Sequence, residues 1–414
     1  MSPIISPDTC EIRGIESRRE VELVADLYGK AFGGYEWHHR NYVDQLSHRV
    51  PRSQWRLSRT LWAGDGRPVA HVRICDRTMR LGSVRLRVGG IGDVCTHPFH
   101  RKRGLMRHLF ADCIEFMAAE GYDLSILWGI GRFYDKFGYI TALSDGTLQM
   151  PREQVARLNG PYRGRRARAS DVAAIVRLHR DDYAIRDGAM RRPGSLWAER
   201  AVKGKFARIL SDKRKRPCAW YQARPDGDAL VLKEVSLGRS PDRATVLSLL
   251  ADMVKLAKAC EKPHLRFELV PEHPIGRFAV ADGCEVRRCH GHRGGGMARI
   301  IGLAGLCERM APEWTRLLAA SPVAGWEGRL RLATDIGSVD LAIAGGKVLA
   351  EPTSGRATAT LRADQDRLTR LLLGFHGPDA ALFLGDLRVT AAALPVVRAL
   401  FPTRALHIAP GDRF

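Results

Sequence analysis

The chain has 414 residues, which is enough for two or three domains of ordinary size. Hydrophobic residues make up 45% and charged residues 27%, so the composition is that of a globular protein and excludes a disordered one. The formal net charge of +21 favours an anionic partner, such as nucleic acid, anionic lipid or a phosphate-bearing cofactor, without selecting among them.

The N-terminal stretch "MSPIISPDTCEIRG" lacks the basic start and long apolar core of a secretory signal. No run approaches the length of a membrane span, so no transmembrane helix is expected. The nine cysteines are widely scattered, which fits free thiols in a reducing, cytoplasmic compartment. Four potential ligands, Cys284, Cys289, His290 and His292, have the wrong spacing for a zinc site, and no metal is predicted.

The first segment, residues 1–160, alternates strand and helix signals. Apolar spacing in "SRREVELVADLYGKAFG" predicts a helix over 17–32. Strands are predicted at "QWRLSRTLWA", "RPVAHVRICDRTMRL" and "VRLRVGGIGDVCT". An amphipathic helix, "GLMRHLFADCIEFMAAEG", then leads to a buried strand, "YDLSILWG", and a short helical turn, "RFYDKFGY".

The second segment, residues 161–298, repeats part of this pattern. "EVSLGRSPDRATVLSLLADMVKLAKACEKPHLRFEL" predicts strand, turn, long helix and strand. At an offset of 141 residues, Glu234 corresponds to Asp93, which indicates a duplicated unit. The loops differ, because Asp242 stands where the first copy has Arg101. The second loop is therefore not expected to hold phosphate.

The third segment, residues 299–414, opens with a helix at "GLAGLCERMAPEWTRLLAA". Strand-like runs follow at "GRLRLATD", "SVDLAIAG", "GKVLAE" and "RATATLRA", and apolar helices close the segment. This order predicts an α+β unit.

The stretch "VCTHPFHRKRGLM", residues 94–106, leads a strand into a helix through a basic turn. Free backbone N–H groups at a helix N-terminus attract anions, and Arg101, Lys102 and Arg103 add charge-assisted hydrogen bonds. Gly104 allows the backbone to approach a ligand closely. The loop is neither a P-loop nor a Rossmann fingerprint. It predicts a phosphate or pyrophosphate site, with a solvated turn as the alternative.

Two motifs in the first segment resemble those of a known family. Arg101–Met106 resembles motif A of the GCN5-related N-acetyltransferases (GNAT), although Met106 stands where most members have Gly or Ala. Tyr134–Tyr139, "YDKFGY", resembles a segment of the enhanced intracellular survival (Eis) type, whose members also end on phenylalanine, as at Phe414.

The resemblance extends over the whole chain and implies tandem GNAT domains, with α/β and α+β architecture. Residues 1–160 would be the catalytic domain that binds acetyl-CoA, and residues 161–298 a degenerate second GNAT domain. Residues 299–414 would form a domain like sterol carrier protein that supplies the C-terminal carboxylate. A homo-oligomer, specifically a hexamer, is also implied.

The resemblance further implies a reaction and its residues. Acetyl-CoA would lie between the strands "GIGDVCT" and "DLSILWG", with Val94, Cys95 and Thr96 beside the pantetheine. The pyrophosphate would lie on Arg101, Lys102, Arg103, Gly104, Leu105 and Met106. A primary amine of a small molecule or peptide would attack the thioester directly. Tyr134 would be the general acid, and the carboxylate of Phe414 the base.

Each assignment has a structural alternative. Tyr134 could be a core aromatic residue, and Phe414 a frayed terminus. Asp93 is either a second candidate base or the partner of an arginine in a salt bridge. Trp37 is either a wall of the acceptor pocket or a packed aromatic residue. Arg413, beside the proposed base, is expected to disfavour polycationic acceptors.

Three other functions compete with N-acetyl transfer. An N-myristoyltransferase-like enzyme would also use a terminal carboxylate. The third segment is the only evidence for a non-enzymatic lipid carrier, and the net charge is the only evidence for a nucleic-acid binder. The basic cluster at 203–217 is interrupted by apolar residues and predicts a solvated hairpin, so no nucleic acid partner is predicted.

Overall fold

A computed structural model of the chain describes residues 6–192, 197, 201–202, 204 and 206–414. Helices flank three β-sheets, which confirms the predicted α/β and α+β class. Residues 1–5, which begin the stretch interpreted as lacking a signal, lie outside the described residues, as do Lys203 and Lys205 of the basic cluster. No helix of the described ranges is long and apolar enough to cross a bilayer.

The first sheet contains the following strands: β1 (Cys10–Arg13), β2 (Ser58–Ala63), β3 (Pro68–Leu81), β4 (Val84–Thr96), β5 (Leu124–Gly129), β6 (Ile140–Thr141), β9 (Met190–Arg191) and β15 (Gly295–Ile300). Their order is β1-β2-β3-β4-β5-β15-β6, with β9 paired to β3. β3 and β4 form a long antiparallel hairpin, whereas β4 and β5 are parallel.

Three helices pack on the first sheet: α1 (Arg18–Ala31), α2 (Tyr35–Asp44) and α3 (Leu105–Ala119). α1 confirms the helix predicted over 17–32, and the Ser17 side chain begins it by accepting from the Glu20 N–H. α3 confirms the amphipathic helix. The residues that it buries against the sheet are Leu105, Leu109, Phe110, Cys113 and Met117.

Short helical turns connect several of these elements. The run "QWRLSRTLWA", predicted as a strand, begins instead with a 3-10 turn, Arg52–Leu57, and becomes extended only at Ser58. The buried Trp55 fixes this turn, because its indole N–H donates to the Leu46 carbonyl at 3.1 Å. The other short segments are Pro7–Thr9, Gln45–Arg49, Pro98–His100, Tyr134–Phe137, Ala169–Asp171, Ala391–Ala393 and Pro410–Asp412.

The second sheet contains the following strands: β7 (Asp145–Pro151), β8 (Arg163–Arg166), β10 (Ala207–Ser211), β11 (Pro217–Asp226), β12 (Ala229–Ser236), β13 (His264–Phe267) and β14 (Glu285–Cys289). Their order is β14-β7-β13-β12-β11-β10-β8. Its helices are α4 (Arg152–Val155), α5 (Val172–Tyr183), α6 (Arg243–Ala259) and α7 (Pro274–Ala281). β10 and β11 pair antiparallel around an exposed basic turn, as expected of a solvated hairpin.

The strand–helix–strand repeat predicted from the spacing is present in both sheets. β4, α3 and β5 correspond to β12, α6 and β13, and the two strands of each copy are parallel. Val88 pairs with Leu124 in the first copy, and Ala229 pairs with His264 in the second. Since Val88 and Ala229 are 141 residues apart, the copies agree to within one residue of register.

The first two sheets exchange strands across the predicted segment boundaries at 160 and 298. β7, although it precedes residue 160, pairs with β13 and β14 of the second sheet. β15 begins before residue 298 and inserts between β5 and β6 of the first sheet. Local sequence patterns predict strands but not their partners, so this crossing could not be read from the chain.

The third unit is a five-stranded sheet covered by helices. Its strands are β16 (Gly328–Thr334), β17 (Gly337–Ala344), β18 (Lys347–Pro352), β19 (Ala359–Arg362) and β20 (Arg388–Val389), in the order β18-β17-β16-β19-β20. Its helices are α8 (Leu303–Ala319), α9 (Gln365–Leu372), α10 (Pro378–Phe383) and α11 (Leu394–Leu400). The helix and strands predicted for this segment are confirmed.

A buried carboxylate joins the third unit to the first sheet. Glu313 of α8 accepts from the Ser83 backbone N–H at 2.9 Å, from Arg316 at 2.8 Å and from Arg404 at 3.0 Å. Burial alone would raise the pKa of Glu313, but these donors outweigh it and lower the pKa from 4.5 to about 2. The ionised form is therefore part of the folded structure.

We expect Glu313→Gln to lower the free energy of unfolding by about 1.5–3 kcal/mol, because it removes the charge-assisted bonds of Arg316 and Arg404 to Glu313 and leaves Arg404 with Asp187 as its remaining carboxylate partner. In the parent, this stabilisation is present above pH 4.5 and is lost as the pH falls towards 2. Urea denaturation at neutral and acid pH measures both effects. Glu308→Gln, at an exposed position of the same helix, is the control. Equal losses in the two variants would contradict the role of Glu313.

Candidate active site

The central strand of the first sheet parts from its neighbour halfway along its length. β4 and β5 pair from Val88 to Ile91, and their ladder stops there. At the same level the β3–β4 register shifts between His71 and Arg73. Asp93 lies in this irregularity with a left-handed φ of +50°. The bulge turns the end of β4 away from β5 and opens a gap between them.

A cleft of about 670 Å³ lies at this gap. All nine residues predicted to bind the cofactor line it, namely Val94–Thr96 of β4 and Arg101–Met106 of the loop and first turn of α3. Tyr134 lines the same cleft. The structure thus brings together residues that the sequence analysis had assigned from two separate motifs.

The start of α3 is open to an anion. Gly104 precedes the helix with a left-handed φ of +78°, and no side chain caps the first N–H groups. The counterpart in the second sheet differs, since the Asp242 carboxylate accepts from the Thr245 N–H at 2.7 Å. An acidic side chain therefore takes the place of an anionic ligand at α6 but not at α3.

The three basic residues of the loop have different surroundings. The Arg101 guanidinium donates to the Ala31 carbonyl at the end of α1 at 3.0 Å, and to the Thr96 carbonyl at 3.4 Å. Lys102 and Arg103 are exposed at the rim of the cleft. Arg101 thus ties the loop to α1, while the other two present their charges to the cleft.

Tyr134 lies in an aromatic cluster beside the cleft. Its ring centroid is 4.9 Å from that of Phe133 and 5.6 Å from that of Phe110. Burial raises the pKa of Tyr134 to about 12, so the phenol keeps its proton at neutral pH. The ring packs as a core aromatic residue would, and it also forms part of the cleft wall.

Phe414 lies against β4 where that strand leaves β5. Its ring occupies the space that a Cβ on Gly90 would need, and a Cβ on Gly92 would lie 3.4 Å from the Phe414 carboxyl carbon. The Trp128 ring centroid is 6.3 Å from that of Phe414. The tail is therefore packed. Gly90 and Gly92 were not among the predicted site residues, although glycines within the strand "VGGIGD" signal close approach by another group.

Asp93 is paired with an arginine. Its Oδ2 lies 2.5 Å from the Nε of Arg73 on the adjacent strand, and both side chains are largely buried. Burial, followed by the charge of Asp93 and a hydrogen bond to it, raises the pKa of Tyr28. Asp93 is therefore in a salt bridge with an arginine, which was the predicted alternative to a role as base. To act as a base, Asp93 would have to leave Arg73.

The two predicted acceptor residues lie apart from the cleft lining. Trp37 on α2 is 66% exposed and has an edge contact with His38. The Arg413 guanidinium lies 2.7 Å from Asp145 and 5.0 Å from the centroid of the Trp128 ring. Its charge is balanced by Asp145, which the sequence analysis did not foresee.

We searched the described part of the chain for side chains that could together bind a metal ion. No three His, Cys, Asp or Glu side chains come together there as a metal-binding group. All nine cysteines are free thiols, including Cys95 in the cleft, whose pKa burial raises.

Comparison with known proteins identifies the class of the first unit. Residues 11–142 match the acetyltransferase (GNAT) domain family. These residues include the diverging strands β4 and β5, the basic loop before α3 and Tyr134. The first unit is thus similar to an acetyltransferase (GNAT) domain.

The chain is also similar to particular proteins. It is 31% identical over 136 residues to the N-acetyltransferase Eis of Mycobacterium tuberculosis (strain ATCC 25177 / H37Ra), and equally to that of Mycobacterium bovis (strain BCG / Pasteur 1173P2). The alignment covers 30% of this chain and 34% of those relatives, so it spans about a third of their length.

Solved structures share the fold along nearly the whole chain. A GCN5-related N-acetyltransferase from Kribbella flavida has a TM-score of 0.72 at 19% identity, covering 99% of this chain and 100% of that one. Eis1 from Mycobacterium abscessus has a TM-score of 0.66 at 14% identity, covering 98% of both chains. At these identities the likeness concerns the fold.

Proposed function

We propose that the protein is an acetyl-CoA-dependent N-acetyltransferase. The observation that carries this proposal is the cleft where β4 leaves β5, with an uncapped helix N-terminus at one end and Tyr134 in its wall. In this proposal residues 1–160 are the catalytic GNAT domain and residues 161–298 a degenerate second one. Residues 299–414 are a domain like sterol carrier protein that delivers Phe414.

The cleft suits the two ends of the acetyl-CoA molecule. The diphosphate would lie on the N–H groups of α3, near Lys102 and Arg103, where helix dipole and side-chain charge act together. The pantetheine would extend along Val94–Thr96, whose backbone faces the gap left by β5. Acetyl-CoA supplies the activated acetyl group as its thioester.

In the proposed reaction, two residues near the gap carry out the two proton transfers. The amine nitrogen forms a bond to the thioester carbonyl carbon, and the carbon–sulfur bond breaks. Tyr134 donates its phenolic proton to the departing thiolate, and the Phe414 carboxylate takes the proton lost by the amine. Since a thiol has a pKa of ~8.5, donation from Tyr134 is uphill, and the phenolate must regain its proton within the same turnover.

We expect the double variant Arg101→Ala, Arg103→Ala to weaken acetyl-CoA binding about 100-fold. Arg103 loses a direct charge, and Arg101 loses its hold on Ala31, so together they cost about 3 kcal/mol. Isothermal titration with acetyl-CoA measures the change. The matched control removes Arg239 and Arg243 from the corresponding loop of the second sheet. Unchanged binding in the first variant would show that the loop is not the phosphate site.

The acceptor proposed is a primary amine of a small molecule or peptide that is not a polycation. Arg413 contributes little to this preference, because Asp145 balances its charge. Arg77, 5.9 Å from the Phe414 ring centroid, and the net charge of +21 now support it. The test compares kcat/KM for a polycationic aminoglycoside and a neutral amino sugar. A preference for the aminoglycoside that Arg77→Gln does not change would overturn it.

Thiol release from acetyl-CoA and myristoyl-CoA, measured with the same amines, separates this proposal from an N-myristoyltransferase-like enzyme. Absence of acyl transfer, together with a lipid that co-purifies with the protein, would favour a lipid carrier instead.

We also propose that the protein is a hexamer and that it is cytoplasmic. Light scattering tests the first, since a monomer would have a mass near 46.0 kDa.

A further inference from the structure

The last ten residues form a strap that touches both preceding units. The His407 N–H donates to the Asp187 carbonyl at 3.1 Å. Arg413 then pairs with Asp145, and Phe414 packs over Gly90. Between these points the strap passes along β12 of the second sheet, where Gly411 lies against Glu234, and Asp412 is buried in the protein interior.

The Asp412 carboxylate belongs to a buried network of three side chains, which we call the tail clamp: Arg192, Glu234 and Asp412. The Nε of Arg192 donates to the Asp412 carboxylate, and its two terminal nitrogens donate to Glu234 at 3.0 and 3.1 Å. The three side chains are only 3%, 9% and 6% exposed. The guanidinium also lies 4.9 Å from the Trp197 ring centroid.

The tail clamp is close enough to Phe414 to fix its place. Only Arg413 separates Asp412 from Phe414, and two residues span at most ~7 Å. Gly411 passes so close to Glu234 that any Cβ there would collide with the carboxylate. A buried carboxylate that loses its arginine is strongly destabilised, so Asp412 has one favourable position.

One member of the tail clamp, Glu234, occupies the position in the second copy that corresponds to Asp93 in the first. In the first copy Asp93 pairs with Arg73 on the neighbouring strand, and in the second copy Glu234 holds Arg192. We propose that Arg192 is a positioning residue, which holds the Phe414 carboxyl group at the end of β4 through Asp412. Its effect on the reaction rests on the proposed role of that carboxylate as the base.

The test follows the tail and the reaction separately in Asp412→Asn. Carboxypeptidase A releases C-terminal phenylalanine, and mass spectrometry of the intact chain times that release without any turnover. We expect release to be at least about tenfold faster in the variant. With acetyl-CoA, kcat should fall about 100-fold, as for a misplaced reacting group, while KM for acetyl-CoA stays within about twofold.

Asp252→Asn is the matched control. Asp252 is also a buried carboxylate of the second unit, on α6, where it pairs with Arg208 at 2.7 and 2.9 Å and not with the residues of the tail clamp. It should lose stability without changing phenylalanine release or kcat. If Asp412→Asn does not fold, Arg192→Lys replaces it, and release and kcat must again change together.

Two results would overturn the proposal. Unchanged phenylalanine release in Asp412→Asn would show that Arg192 does not hold the tail. Faster release with unchanged kcat would show that the tail is held but has no part in the reaction. A parent protein with no transferase activity would instead refute the proposed function, and the release measurements would still decide whether the clamp exists.

Discussion

Tyr134→Phe is expected to lower kcat about 100- to 1000-fold, which is the usual contribution of a positioned general acid. The substitution removes the proton that the thiolate needs. It keeps the ring, which packs against Phe110 and Phe133, so the cleft wall should not change. The KM for acetyl-CoA should therefore stay within about threefold. Steady-state kinetics with a fixed amine measures both constants.

Tyr139→Phe provides the matched control for this variant. Tyr139 belongs to the same aromatic cluster, but its hydroxyl donates to the Ser125 Oγ at 2.7 Å. Its loss should lower stability without a comparable loss of kcat. Equal effects on kcat in the two variants would mean that Tyr134 acts through packing alone.

The raised pKa of Tyr134 also has a consequence for the pH profile. Because the pKa is about 12, the phenol stays protonated across the whole range of ordinary assays. Its deprotonation should cause no fall of kcat until the pH approaches that value. A fall of kcat near pH ~10 that Tyr134→Phe abolishes would contradict this environment.

The second large effect is expected when two glycines are added after Phe414. The extension moves the terminal carboxylate by up to ~7 Å and leaves an amide at its former place. We expect kcat to fall about 100-fold, since an amide is not a base at neutral pH. Phe414→Leu is the control, because it keeps both the chain length and the carboxylate while it trims the ring over Gly90.

Full activity of the extended chain would exclude the Phe414 carboxylate as the base. Asp93 would then be the next candidate, and Arg73, which lies 2.5 Å from it, would have to release it during turnover. Asp93→Asn in the extended chain would separate these cases, because only a chain that uses Asp93 would lose the remaining activity.

The residues that line the cleft could be predicted from the sequence because most of them lie in short continuous stretches of the chain. Val94–Met106 is one continuous stretch in which the strand, the turn and the helix each have their own signal. Tyr134 lies in a second short motif that returns to the same place. The helix and strand predictions were confirmed over most of the chain for the same reason, since hydrophobic periodicity acts over a few residues.

Long-range pairing could not be predicted in this way. Arg192 and Asp412 are 220 residues apart, and nothing near either residue identifies the other as its partner. The same holds for Arg413 and Asp145, whose ion pair balances the charge beside Phe414. Charged residues carry no directional signal in the sequence, so a buried pair looks like two surface residues until the fold brings them together.

The insertion of β15 between β5 and β6 has a consequence for synthesis on the ribosome. Translation delivers β5 about 170 residues before its neighbour Gly295–Ile300, and domains generally fold as their chain emerges. During that interval one edge of β5 has no partner, and an open strand edge invites pairing with other chains. Any shortened version of the first unit must therefore include residues 295–300, either fused after a linker or added as a peptide.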